Sequence, residues 1–219
     1  MATTTEENYL KALYNLAAQS GPVPTSELSR ALGVSTPSVN SMVRKLHERG
    51  LVRYEKYRPL ELTPAGRKAA ALVIRKHRLT EMFLVEQMGF GWEEVHAIAE
   101  QIEHVESPAF FSRMDELMGH PTVDPHGSPI PAPDGTVHLT PRRRLSDCAA
   151  GDTVAINGLA HSSNEFLHFL NARGIGLKTI VEISTVEPFD GSVVINYDNK
   201  VGVSLSSKIA EKLLVGPVK

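Results

Sequence analysis

The sequence predicts a mainly α-helical protein with a small all-β domain at its C-terminal end. Residues 1–70 read as a winged helix-turn-helix, residues 71–140 as a helical dimerisation domain, and residues 141–219 as a small β-barrel. Three observations support this fold class: helical periodicity interrupted by turn residues up to position 63, two further amphipathic helices, and alternating apolar and polar residues from about position 145.

The N-terminal helices follow from periodicity and helix-end signals. Residues 6–19 place Tyr9, Leu10 and Leu13 on one helical face, and Gly21-Pro22 ends that helix. Residues 25–52 then read as helix, tight turn, helix. We expect Thr25 or Ser26 to cap the first helix, Gly33 to form the turn, and Ser35 or Thr36 to cap the second, with Pro37 in its first turn.

A hairpin over residues 51–63, with its tip at 56–59, completes a winged helix, and a further helix starts at Thr63-Pro64 and runs to 87. The second helix of such a unit enters the DNA major groove through its N-terminal residues. A solvated surface or a protein-contact face is the alternative. The residues predicted to contact DNA are Thr36, Pro37, Ser38, Asn40 and Ser41, with Arg44 and Lys45 on phosphates and Arg58 at the wing tip.

Two more helices are predicted, over residues 92–107 and 108–119, followed by a Pro- and Gly-rich segment at 121–135. The second helix carries an apolar face that a lone helical pair could not bury. Dimerisation explains this face, and packing against residues 65–90 is the alternative. The face consists of Phe110, Phe111, Met114, Leu117 and Met118.

The C-terminal region alternates in strand fashion, in TVAIN, TIVEIST, SVVINYD and KVGVSL. Turn residues separate these segments, and one short helix is predicted near residues 162–173. Four strands in about 75 residues predict a small β-barrel.

Composition limits the class of protein. The 219 residues are 42% hydrophobic and 22% charged, as in ordinary globular proteins. No apolar run reaches the ~20 residues that span a bilayer, and the N-terminus lacks a signal-peptide pattern, so we expect a cytoplasmic protein without membrane contact. The lone Cys148 cannot form an internal disulfide.

Charge is distributed unevenly along the chain. Residues 1–75 carry 11 basic and 6 acidic side chains, whereas residues 76–140 carry 3 and 11. The middle third also holds six of the nine histidines. A basic first segment indicates a polyanion partner, and an acidic, His-rich segment indicates cations. Chance drift of charge between domains is the alternative.

The middle third contains a constellation of metal-ligating side chains. His77 and Glu81 are four residues apart, and His96, Glu100, Glu103 and His104 fall on one stripe of a continuous helix. If the two helices pack together, all six side chains face one cleft. Imidazole and carboxylate without thiolate suit Mn(II), Fe(II), Co(II), Ni(II) or Zn(II), with a preference for the harder ions. A solvated surface stripe is the alternative.

The order of several motifs resembles the diphtheria-toxin-repressor and manganese-transport-regulator family of metal-dependent transcriptional repressors. The motifs are NYLKALYNL, TPSVNSMVRKLHERGLV, LELTPAGRKAA, HRLTE, VHAIAEQIEHV and DPHGSPIP. The resemblance covers essentially the whole chain and implies an SH3-like, FeoA-type C-terminal domain. It also implies a homodimeric repressor that binds palindromic operators of metal-uptake genes with Mn(II) or Fe(II) as corepressor. Co, Ni, Zn and Cd are possible substitutes in vitro.

The resemblance also implies a set of metal ligands. His77, Glu81 and His96 match the family's ancillary site, and Glu103 and His104 match two ligands of its primary site. Glu100 replaces the cysteine of iron-responsive members, which favours Mn(II). Asn8, flanked by Glu7, stands where relatives have Met or Asp, and Lys11 replaces an acid of some manganese members. Weaker expectations are Glu165, with His161, Ser162 and His168 as rivals, and Asp124 and His126.

These features together predict how metal controls DNA binding. A cation that joins helix one to the middle domain is expected to select the separation of two recognition helices that matches successive major grooves, ~34 Å apart. The family's iron-responsive branch is the alternative within the same function. A metal hydrolase is another alternative, although no nucleophile or oxyanion loop accompanies the histidines. A storage protein would need no recognition helix.

Overall fold

The structure is a computed structural model that describes residues 3–218, and its contacts divide the chain into two compact units. The first unit runs to Thr80 and adds Ala99–His120 and Ile130–His138. The second comprises Glu81–Ile98, Pro121–Pro129 and the chain from Leu139 onward. Among the described residues, no helix combines the length and hydropathy needed to cross a bilayer.

Three helices open the first unit, as predicted: α1 (Thr4–Ser20), α2 (Thr25–Leu32) and α3 (Thr36–Glu48). The prediction that Thr25 or Ser26 caps α2 is wrong, because the helix starts one residue earlier and Pro24 occupies the N-cap position without a side-chain bond. Ser35 caps α3 as expected and accepts the Ser38 N–H, with a proline in the first turn. Gly33 takes the left-handed conformation (φ 65°) that the tight turn requires.

The wing is short. Strands β1 (Val52–Arg53) and β2 (Glu61–Leu62) pair antiparallel over only two residues each, and α4 (Pro64–Met88) follows. The core beneath consists of apolar residues from α1, α2, α3 and the wing, including Leu10, Leu28, Val43, Leu46 and Leu60. One face of α3 is buried in this core, and the opposite face is exposed to solvent.

The next two helices are shorter than predicted: α5 spans Val95–Ile102 and α6 spans Pro108–Leu117. The apolar face of α6 divides in two. Phe111 and Met114 are buried inside the first unit, as the packing alternative expected, whereas Phe110 and Leu117 stay 41% and 54% exposed.

The second unit is built on a six-stranded antiparallel sheet of order β3-β8-β4-β5-β6-β7. All four predicted strands are present, and so is the short helix. Two short strands and a one-turn helix were not predicted, because Arg143–Arg144 has no apolar residue and Leu213–Gly216 does not alternate in polarity. The elements are β3 (Arg143–Arg144), β4 (Thr153–Leu159), α7 (Asn164–Asn171), β5 (Ile180–Val186), β6 (Val193–Tyr197), β7 (Lys200–Leu205), α8 (Ser207–Ala210) and β8 (Leu213–Gly216).

Candidate metal centre and nucleic-acid interface

The first unit gathers charged and polar side chains from α1, from α4 and from the end of α5. We call this group the carboxylate cluster. Spacings of three and four residues along α1 turn its three members toward the same side. The cluster consists of Glu7, Asn8 and Lys11 on α1, Lys76 and His77 on α4, and Glu100, Glu103 and His104.

Glu103 lies at the centre of the carboxylate cluster and is fully buried. His77 Nδ1 donates to its Oε2 at 2.6 Å, and the Lys11 ammonium lies 2.7 and 2.9 Å from its two oxygens. Burial acts to raise the pKa of Glu103, but the bonds from His77 and Lys11 outweigh it and lower that pKa below its usual range. Glu103 is therefore held as a carboxylate, the form that binds cations.

His104 is oriented by Glu7. Its Nδ1 donates to Glu7 Oε2 at 2.6 Å, which leaves the lone pair on Nε2, the atom 3.5 Å from Glu103 Oε1. A histidine whose second nitrogen is held by a carboxylate is the usual arrangement of a metal ligand. Glu7 also lies 3.5 Å from the ammonium of Lys76.

The continuous helical stripe expected through His104 is wrong, because α5 ends at Ile102 and Glu103 and His104 lie in the turn that follows. Glu103 N–H still donates to the Ala99 carbonyl at 2.9 Å, so helical hydrogen bonding persists to that residue. The turn places both side chains in contact with residues of α1. The expectation that six ligands face one shared cleft stays a prediction.

Asn8 supplies a test of whether the carboxylate cluster fits a cation. Its Oδ1 is buried and has no hydrogen-bond partner among the described residues. A buried carbonyl oxygen without a partner costs free energy on the order of 1–3 kcal/mol. A cation at this oxygen would remove that cost, and the carboxylate and imidazole groups of the cluster are donors that suit a hard or borderline divalent ion.

The second unit contains a separate group of candidate ligands, which we call the loop cluster: Glu81, His96, Asp124 and His126. Glu81, Asp124 and His126 are all buried, and one potential ligand atom from each lies within 4.8 Å of the others. Glu81 Oε1 is 3.2 Å from His96 Nδ1 and its Oε2 is 3.8 Å from His126 Nδ1. The weakly expected Asp124 and His126 thus adjoin Glu81.

The tautomer of His126 is fixed by the backbone. Its Nε2 lies 2.9 Å from the Trp92 carbonyl, which can only accept, so Nε2 carries a proton and Nδ1 is the nitrogen directed toward Glu81. Asp124 Oδ1 accepts the N–H groups of His126 and Ser128, which shapes the loop. Gly127 has φ 83°, and a Cβ there would lie 2.3 Å from the Asn157 carbonyl, so the loop requires glycine.

The ligands expected from α7 are solvent-exposed. Glu165 and His168 lie on exposed positions, as do His161 and Ser162 before the helix. The Ser163 hydroxyl and the backbone N–H of Glu165 lower the pKa of its carboxyl, the backbone bond contributing most. Among residues 3–218, Glu165 belongs to no group with metal-ligand geometry. Asn171 at the end of α7 bonds the Trp92 indole and Glu93.

The predicted DNA-contact residues share the solvent face of α3. All are exposed except Asn40, which is half-buried, and Arg58 is exposed at the wing beside Glu55 at 2.9 Å. The exposed face consists of Thr36, Pro37, Ser38, Ser41, Arg44 and Lys45.

Sequence reasoning missed Glu6, which joins α1 to α3. Glu6 is fully buried; its carboxylate accepts from Arg49 Nη1 and lies 3.1 Å from the Lys45 ammonium. Burial acts to raise the pKa of Glu6, but the Thr3 N–H, Arg49 and Lys45 lower it to about 2. The T-x-x-E spacing from Thr3 to Glu6 predicts a capping box, which is present, but not the pairing with α3.

Three family profiles match the chain in succession. The iron-dependent repressor N-terminal DNA-binding domain matches residues 1–60, the iron-dependent repressor metal-binding and dimerisation domain matches 63–132, and the FeoA domain matches 143–217.

Curated relatives and solved structures agree with these profiles. The diphtheria toxin repressor of Corynebacterium efficiens is 32% identical over 98% of this chain and 96% of its own length. The iron-dependent repressor IdeR of Mycobacterium leprae is 36% identical over 69% of each chain. A manganese-dependent transcriptional repressor in complex with manganese has a TM-score of 0.85 and 34% identity, covering 96% of this chain and 98% of that one.

The manganese-activated repressor ScaR was also solved with zinc and with cadmium, and the zinc-bound form has a TM-score of 0.77 and 29% identity over 97% and 99% of the two chains. Fold, donor chemistry and near full-length similarity therefore agree. The chain belongs to the family of iron- and manganese-dependent transcriptional repressors that includes the diphtheria toxin repressor.

Proposed function

We propose that this protein is a repressor whose homodimer binds palindromic operators of metal-uptake genes when Mn(II) is bound, with Fe(II) as the alternative corepressor. One observation carries the proposal. Helix α1 contributes Asn8 and Lys11 to the carboxylate cluster and Glu6 to the pairing with α3. A change at the cluster therefore has a direct mechanical route to the recognition helix.

The proposed primary ligands are Asn8, Glu100, Glu103 and His104. Three are anionic or imidazole donors already within the carboxylate cluster, and Asn8 adds the buried carbonyl oxygen that lacks a partner. Glu7 then acts as the residue that orients His104 rather than as a ligand. When bound, the ion supplies a double positive charge and directional ligation that join α1 to the turn after α5.

The proposed second site uses Glu81, His96, Asp124 and His126 of the second unit, and the expected role of His77 as a ligand stays a prediction from the sequence. Support comes from the buried approach of Glu81, Asp124 and His126 and from His126 Nδ1, which lies 3.8 Å from Glu81 Oε2. Glu165 stays a weaker proposal, because its carboxylate is exposed on α7.

Manganese is proposed ahead of iron on ligand chemistry. Neither cluster contains a thiolate, and Glu100 adds an oxygen donor where the family resemblance places cysteine in iron-responsive members. Oxygen-rich sites suit Mn(II). The printed names of the relatives include both iron-dependent and manganese-dependent repressors.

The DNA contacts proposed are the exposed polar residues of α3 with Arg58 of the wing. Short polar side chains at the start of α3 are suited to base edges, and Arg44 and Lys45 to phosphates. The Lys45 ammonium lies 3.1 Å from Glu6 Oε1, and this pairing restricts its rotation. Homodimerisation is proposed through the exposed apolar residues of α6.

The test is to select duplexes from a random DNA pool with full-length protein in Mn(II), and then to titrate the selected duplex in Mn(II), anaerobic Fe(II) and EDTA. We expect a palindrome, bound at least about hundredfold more weakly in EDTA, which corresponds to about 2.7 kcal/mol of coupling. By thermodynamic linkage, the duplex should tighten Mn(II) binding by the same factor.

Glu103→Gln is the control variant, because it keeps the shape of the buried side chain and removes its charge. It should retain weak DNA binding that no longer responds to metal. Equal affinity in Mn(II) and EDTA for the unaltered protein would contradict the proposal and indicate a constitutive regulator. Failure to enrich any duplex would favour a storage protein.

A further inference from the structure

Lys11 is an unusual member of the carboxylate cluster. Its ammonium lies 2.6 Å from Glu100 Oε1 and 2.7 and 2.9 Å from the two oxygens of Glu103. Only 14% of its side chain is exposed. Lysine rarely gives up its hydration, because burying an ammonium costs free energy unless the charge is paired and hydrogen-bonded. Here two carboxylates supply that pairing.

The position of Lys11 on α1 is specific. It follows Asn8 by three residues and Glu7 by four, so the three side chains lie on one side of the helix. The two carboxylates that it joins come from a different segment, 89 and 92 residues later in the chain. The ammonium therefore performs the bridging task that a bound cation performs, between α1 and the end of α5.

The net charge of the carboxylate cluster indicates what the Lys11 ammonium replaces. With neutral histidines, three carboxylates (Glu7, Glu100, Glu103) and two ammonium groups (Lys11, Lys76) leave a net charge of −1. One divalent ion brings it to +1, and a second would bring it to +3. With an acid in place of Lys11 the net charge would be −3, and two divalent ions would be needed to reach the same +1.

We propose that Lys11 is a tethered cation that takes the place of a second metal ion, so that the carboxylate cluster binds one divalent ion per chain rather than a pair. This inference rests on the proposed function, because it presumes that the cluster binds metal. It also explains how Glu100 and Glu103 both approach the same point, since the Lys11 ammonium offsets the repulsion between their carboxylates.

The test counts Mn(II) ions per chain in full-length protein by elemental analysis after equilibrium dialysis against saturating Mn(II). Lys11→Glu should bind one more ion per chain than the unaltered protein. Its electron paramagnetic resonance spectrum should show the exchange-coupled signal of a manganese pair, which the unaltered protein should lack. Lys76→Met is the matched control: it removes the same charge beside Glu7 but not between Glu100 and Glu103, and should leave the count unchanged.

A second variant covers the case in which Lys11→Glu folds poorly without metal. Lys11→Met should lower the melting temperature in EDTA, and Mn(II) should raise it by more degrees than in the unaltered protein. The inference is overturned if Lys11→Glu binds the same number of ions as the unaltered protein, if it stays unfolded in saturating Mn(II), or if Lys76→Met gains an ion as well. Unaltered protein that binds no Mn(II) would instead overturn the proposed function.

Discussion

At the scale of single residues, the carboxylate cluster contains one neutral amide side chain, that of Asn8. Asn8 offers a neutral carbonyl oxygen where its surroundings already hold carboxylate and imidazole donors. A neutral oxygen binds a divalent ion more weakly than an anionic one, because ligand charge largely sets affinity for hard cations. As a proposed ligand, Asn8 would therefore bind a divalent ion more weakly than an aspartate at the same position.

Asn8→Asp tests this interpretation. We expect Mn(II) to bind about tenfold more tightly, or about 1.4 kcal/mol, measured by isothermal titration calorimetry. Asn196→Asp, which adds the same charge on β6, should leave the affinity unchanged. Tighter binding in both variants would indicate a general charge effect, and no gain at position 8 would remove Asn8 from the ligand set.

Residue identity predicted the types of side chain in the candidate site, but not which of these side chains contact one another. The carboxylates and histidines of the middle third could be named from spacing and resemblance alone. That Glu7 orients His104, or that Lys11 enters the cluster, could not, because both contacts join positions about 90 or more residues apart. Such contacts depend on packing that no local pattern encodes.

At the scale of elements, α1 makes polar contacts on two of its faces. Glu6 faces α3, and Glu7, Asn8 and Lys11 face the carboxylate cluster. The hydrophobic period predicted the helix and its apolar face toward the core, which is confirmed. It could not predict a buried ion pair, since a glutamate in the first turn of a helix is commonly only a capping residue.

Glu6→Gln measures the pairing of α1 with α3. We expect the free energy of unfolding in urea to fall by about 2 kcal/mol at pH 7, less than for a fully buried pair because Arg49 and Lys45 remain partly hydrated. Metal-free protein in EDTA keeps the carboxylate cluster out of the comparison. An unchanged stability would mean that the ion pair contributes nothing.

The same pair predicts a pH dependence. The pKa of Glu6 is about 2 in the folded protein against 4.5 for a free glutamate. A lowered pKa stabilises the folded state above pH 4.5, and the contribution is lost progressively as the pH falls from 4.5 toward 2. The difference in stability between unaltered protein and Glu6→Gln should therefore shrink over that range, and a constant difference would contradict the assigned pairing.

The end of α5 shows where periodicity fails. Residues 92–107 read as one helix because their apolar and polar positions keep the helical spacing. The structure has helix only over Val95–Ile102. Glu103 and His104 in the turn satisfy the same spacing as helix residues for one further turn, so the pattern alone does not distinguish them from helix.

At the scale of the whole molecule, packing within one chain does not bury all of the apolar surface of α6. Phe111 and Met114 pack inside the first unit, and Phe110 and Leu117 remain exposed within the segment that matches a dimerisation domain. Packing within the first unit therefore accounts for Phe111 and Met114, and dimerisation through Phe110 and Leu117 stays a proposal. Two-fold pairing is what a palindromic operator requires.

Leu117→Glu tests the proposed interface. A carboxylate in an apolar contact costs several kcal/mol, so we expect the dimer dissociation constant to rise about hundredfold or more, as measured by sedimentation equilibrium. Operator affinity should fall with it. Val201→Glu, which alters a more exposed apolar residue on β7, should remain dimeric. A dimeric Leu117→Glu would place the interface elsewhere.

The stacking of Trp92 on His126, with ring centroids 6.0 Å apart and planes within 16°, gives the molecule an intrinsic optical probe. The chain contains one tryptophan, so light absorbed at its red edge reports on this indole alone. A change of charge on the neighbouring imidazole, whether by protonation or by ligation, alters the quenching of that emission. We therefore expect the proposed binding of a cation at the loop cluster to change the emission of Trp92, which can be followed in real time without a label.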